Sequence, residues 1–179
     1  MGMTRVFYFI KKNKLTAEQI REKLRSASAL AYPSYKVFYK DTLDWLPVFD
    51  TYYCEGRYNA DEGFLTSLEE TFGSPVIALS SFDSDVTFVS IYENGELNRY
   101  IHADEFMLEE FGFEEYEPAI PAELESYVDA EELRKLWNEE HFFDAEDFIQ
   151  EIARLLNTFL AFDENNVEED IKIIYTNRR

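Results

Sequence analysis

The segment that most restricts the fold is 86–101, where two apolar runs flank Glu93-Asn94-Gly95-Glu96. A two-residue type I′ turn needs positive φ at both central positions, and Asn-Gly adopts it with little strain. The spacing therefore predicts a β-hairpin. Successive strand side chains point to opposite faces. In Val86–Tyr92 one alternate set holds Val86, Phe88 and Tyr92, and the other holds Val89 and Ile91. A strand apolar on both faces belongs inside a sheet that is covered on both sides.

The rest of the chain supplies partners for such a sheet. Arg5–Ile10, Val76–Phe82 and Ile171–Tyr175 are β-branched and aromatic, the composition of strands. Tyr35–Tyr39 reads as another strand, and Trp45–Cys54 as a further one broken by Pro47. Helices are expected over Ala17–Ser26, behind the Thr16/Gln19 capping box, and from Asn59 or Asp61 to Phe72, ended by Gly73 and Pro75. A short helix is expected around Phe106-Met107, then two helices or one bent helix over 122–140. An amphipathic helix follows Asp144, with Phe148, Ile149, Ile152, Leu155 and Leu156 inward. The fold class is α+β: a mostly antiparallel sheet with a hairpin at 86–101, packed by helices. If the last strand joins the sheet of the first, residues 1–179 form a single domain.

Charge narrows the function. Residues 1–59 hold ten Lys/Arg against six Asp/Glu, and residues 60–179 hold seven against thirty-one, giving +4 and −24 for a net −20. Within 102–151 there are eighteen acids and two bases. Such a surface repels phosphates, so direct nucleic-acid binding is not expected, and a basic protein is the natural complement. No apolar run approaches the roughly 20 residues that span a bilayer. Lysines follow Val6–Ile10 where a signal cleavage site would sit. With Cys54 as the one cysteine, the expected location is cytoplasmic.

Motifs for chemistry are scarce. The turn Asp83-Ser84-Asp85 brings two carboxylates together, as a hard cation or a shared proton would need, yet Asp and Ser are also ordinary turn residues. His102 and His141 lack the spacing of a zinc helix; convergence with Asp104 or Glu140 would be needed to make a metal site. There is no nucleophile elbow and no Gly-rich phosphate loop. No catalytic residue, metal or cofactor is therefore assigned. The remaining feature is a series of acidic doublets interleaved with rings. Glu109, Glu110, Glu114, Glu115, Glu139, Glu140 and Trp137 are the candidate partner-binding residues, with carboxylates steering and rings anchoring. An enzyme or metal-binding domain built on His102, His141 and nearby carboxylates is the alternative. A regulatory module for a basic cellular protein is another.

The run from Gly73 to Gly95, GSPVIALSSFDSDVTFVSIYENG, follows a predicted helix and resembles the core of small acidic bacterial immunity-type proteins that accompany polymorphic toxins. The resemblance covers about 23 residues, with the Asp-Ser-Asp turn as its distinctive part. It implies an α+β cytosolic protein that protects by binding a toxin domain, which the acidic surface would suit to a basic one, and it implies no catalytic residues.

Overall fold

Strands β1 (Arg5–Lys11), β2 (Ser34–Tyr39), β3 (Trp45–Asp50), β4 (Val76–Phe82), β5 (Val86–Glu93), β6 (Glu96–His102) and β7 (Lys172–Arg178) form one sheet. Its order is β6-β5-β4-β1-β3-β2-β7, and every ladder is antiparallel. The helices are α1 (Ala17–Ser26), α2 (Glu62–Phe72), α3 (Glu105–Phe111), α4 (Ala130–Trp137) and α5 (Ala145–Leu155). This computed structural model describes residues 4–27, 34–50, 58–83, 85–138, 144–161 and 170–178. Cys54, Ser84, Glu139, Glu140, His141, Phe142, Phe143 and the expected acidic loop over 163–169 lie outside the described residues.

The helix starts follow from local hydrogen bonding. Thr16 and Gln19 make both halves of the capping box, with bonds of 3.3 and 2.9 Å. Asp61, Asp104, Asp129 and Asp144 each accept from the backbone N–H three residues on, at 2.8–2.9 Å, satisfying donors that a helix start leaves unpaired. Gly73 closes α2 at φ 60°, a left-handed conformation costly for a side chain with Cβ. The hairpin turn has φ 54° at Asn94 and 81° at Gly95, the positive pair that type I′ requires.

Alternation then sorts the core into two faces. On one, Val6, Tyr8 and Ile10 of β1 pack with Ile20 and Leu24 of α1 and Phe64, Leu65, Leu68 and Phe72 of α2. On the other, Phe7 and Phe9 of β1 join Leu79, Val89 and Ile91 beneath Leu133, Leu136 and Trp137 of α4 and Phe148, Ile149 and Ile152 of α5. The inference that β5 is covered on both sides holds, and β1 shares the property. A third cluster, Val86, Phe88, Ile101 and Tyr116 with Tyr58, Phe82, Met107, Leu108 and Phe113, seats α3 over the β4–β6 end of the sheet.

Two expectations need correction. Pro47 does not break β3: it lies opposite Phe9 in the β1 ladder, while β2 pairs only from Val48 onward. The missing N–H thus falls where no β2 residue is registered opposite. The segment expected as a helix over 122–128 is a single 3₁₀ turn, Leu124–Ser126, which buries Leu124 alone. At the rims, Ile101 N–H donates to Glu117 O and Glu117 N–H to Arg99 O, both 2.9 Å, so Glu117 occupies the outer side of β6. On β7, Arg21 Nε donates to Ile174 O at 3.1 Å.

Candidate functional site

The acidic doublets divide by their place on helices. Glu131 and Glu132 stand in the first turn of α4, and Glu146 and Asp147 in the first turn of α5. There the partial positive charge of the helix start stabilises them, and Glu132 also pairs with Arg154 at 3.5 Å. These carboxylates have a structural reason to exist. Glu109 and Glu110 are different: they lie towards the C-terminal end of α3, where carbonyl oxygens favour cations and α3 has no basic residue. Glu69 and Glu70 of α2 share that unfavourable placement, so it alone does not mark a site.

What sets α3 apart is its rings. Among the described residues the two most exposed large apolar side chains are Phe106, 67% exposed, and Phe111, 48% exposed. Both belong to this seven-residue helix. Residues 103–117 carry seven carboxylates and no Lys or Arg. All seven, at Asp104, Glu105, Glu109, Glu110, Glu114, Glu115 and Glu117, are exposed, and none forms an ion pair among the described residues.

The surface is tied to the core through stacked aromatics. Phe111 lies 6.0 Å from the Phe82 ring and 6.2 Å from Phe113; Phe113 lies 5.2 Å from Phe88, itself fully buried. Tyr58 stacks on Phe88 at 5.0 Å, and the buried Tyr116 donates its hydroxyl to Asn59 Oδ1. Because Phe82 immediately precedes Asp83, this contact brings the exposed Asp83/Asp85 turn beside the end of α3. The structure therefore joins two features that are separate in sequence, the Asp83/Asp85 turn and the Glu109/Glu110 and Glu114/Glu115 doublets. Asp83 takes φ 49°, a left-handed conformation that Asp tolerates better than most residues.

Trp137 sits elsewhere. It is 8% exposed on the opposite face of the sheet, 5.5 Å from Phe148 and 5.3 Å from His102, so its ring belongs to the core. Phe106 was legible in principle as an outward ring. At roughly 100° per residue it projects opposite the side shared by Met107, Leu108 and Phe111, and only Met107 and Leu108 of these pack into the third cluster.

His102 stacks on Phe148 at 4.0 Å with a 9° interplanar angle, and its Nε2 lies 3.0 Å from Trp137 O. Burial pushes its pKa below the usual histidine value, opposed by the bond to the Trp137 carbonyl. Neutral His102 therefore contributes stability that is complete above about pH 6.5 and is lost as pH falls through its depressed folded value. Unfolding titrations from about pH 7 down to pH 5 should show wild type losing stability relative to His102→Gln; parallel curves would refute this. Among the described residues no three His, Cys, Asp or Glu side chains converge as metal ligands would.

A cleft of about 470 Å³ lies between α1 and the β2–β7 end, with Arg21, Tyr39, Lys40, Asp41 and Asp170 in its lining. Its charges neutralise one another: Lys40 pairs with Asp170 at 2.8 Å, Arg21 with Glu18 at 3.0 Å, and the Tyr39 hydroxyl donates to Asp41. No described helix is long and apolar enough to cross a membrane. Comparison of the chain with protein-family models, curated proteins and solved structures found no match.

Proposed function

We propose that this protein is a non-enzymatic binding protein of the immunity type, neutralising a basic toxin domain through its acidic surface. The observation that carries the reading is the exposed Phe106 and Phe111 set among seven exposed carboxylates with no cation between residues 103 and 117. Two-sign surfaces are the ordinary device for solubility, and solubility needs no exposed phenyl ring. A run of exposed carboxylates that also carries exposed rings matches a surface that must attract a cationic partner and then hold it. The carboxylates would speed encounter, and the rings would supply central contact.

The test is co-expression with each basic product of the adjacent genes. One of them should be toxic alone and harmless together with this chain. The purified pair should lose at least roughly tenfold in affinity between about 50 and 300 mM NaCl, as screening shortens the reach of surface charge. Absence of any adjacent product that binds would remove the reading.

A further inference from the structure

The same surface carries a sharper statement about its partner, one that rests on the reading just given. An acidic protein can oppose a basic one in two ways. It can present only an array of negative charge, as a phosphate backbone does, or it can also bury apolar groups in the interface. The outward side of α3 discriminates between these. Phe106 projects away from the Met107–Leu108 side that packs on the sheet, and two-thirds of its surface is in water. Among the described residues nothing requires a phenyl ring there, since α3 buries no residue fully and is seated through Met107, Leu108 and the Phe82–Phe111 contact. Phe111, on the Met107–Leu108 side, keeps half its surface exposed at the helix end beside the Asp83/Asp85 turn, and exposed carboxylates at 104, 105, 109, 110, 114 and 115 flank the two rings along the chain.

We propose that α3 docks a cationic protein segment that also bears aliphatic side chains, with Phe106 on the outward side as its main anchor, Phe111 at the helix end as a second apolar contact, and the neighbouring carboxylates pairing with Lys or Arg. Charge complementarity selects the partner's rim, and the exposed rings select an apolar centre. Purely polar cationic chains would gain the first set of contacts and miss the second.

Two synthetic peptides of equal length and charge serve as probes for the full chain. One is an amphipathic Lys/Leu helix; in the other every Leu is replaced by Ser. Fluorescence anisotropy at low salt should show the Lys/Leu peptide binding at least about tenfold more tightly, the difference that apolar burial adds to a shared charge term. Phe106→Ser should shrink that preference, and Phe106→Ser/Phe111→Ser should reduce it to within about twofold, with Lys/Ser binding unchanged. Ile173→Ser, which removes the third exposed large apolar side chain among the described residues, 38% exposed on β7, should leave the preference intact. Equal binding of the two peptides to wild type, or a preference that survives the double substitution, would overturn the anchor proposal while leaving the charge-based reading in place. No salt-sensitive binding of either peptide would overturn both.

Discussion

Phe88→Ala is expected to cost about 3–5 kcal/mol of folding stability and, in the same step, to release α3 from the sheet. The ring is fully buried and contacts Tyr116 at 4.6 Å, Tyr58 at 5.0 Å and Phe113 at 5.2 Å. Truncation therefore opens a cavity bounded by three aromatic side chains that reach it from two separate segments, which limits how far the site can collapse. Because α3 buries no side chain completely, this cluster is its principal purchase. Denaturant unfolding should register the global loss. Amide exchange over residues 105–117 should rise more than over α1 or α2, since local opening follows the loss of local burial. If protection over 105–117 survives while overall stability falls, α3 is seated by something other than the Phe88 cluster. The Lys/Leu peptide should bind this variant weakly, in contrast to Phe106→Ser, whose stability should stay within about 0.5 kcal/mol of wild type.

Phe148→Ala should have an effect of similar size on the other side of the sheet, about 3–5 kcal/mol, with a titration signature as well. Phe148 is 1% exposed, lies flat on the His102 ring and touches Trp137 at 5.5 Å. Removing it admits solvent to an imidazole whose pKa is depressed chiefly by burial. His102 should then titrate closer to the ordinary histidine value, followed by NMR at a temperature where the variant remains folded. The upward direction is the critical point: a pKa that stays put would mean that burial by Phe148 is not what lowers it. Peptide binding at α3 should be preserved, because the two sites lie on opposite faces of the sheet.

Much of this architecture was readable from local chemistry. Caps such as Thr16/Gln19, Asp61 and Asp144 announce helix starts because their side chains satisfy nearby backbone donors, a short-range effect. Asn94-Gly95 announces the hairpin for the same kind of reason, and the two-faced pattern of Val86–Tyr92 correctly implied layers on both sides. The failures share a cause. Pro47 continues a strand because of which residues lie opposite it, and that depends on a β3 ladder to β1, distant in sequence. Trp137, offered as an anchor from its acidic neighbours, turns inward because His102 and Phe148 meet it across the fold. The site was half legible. The Glu109–Glu115 doublets were visible as charge, whereas their union with Asp83/Asp85 passes through a contact between Phe82 and Phe111 that no spacing encodes.

The Glu117 bridge on β6 has a bearing on self-association. An open strand offers a row of amides and carbonyls to any chain that comes alongside. With Glu117 hydrogen-bonded to Arg99 and Ile101, that row is interrupted at the end of the sheet lying next to the acidic helix. Addition of a further strand is thus hindered at this rim, as the Arg21 bond to Ile174 O hinders it at β7, leaving the α3 side to contacts made by side chains.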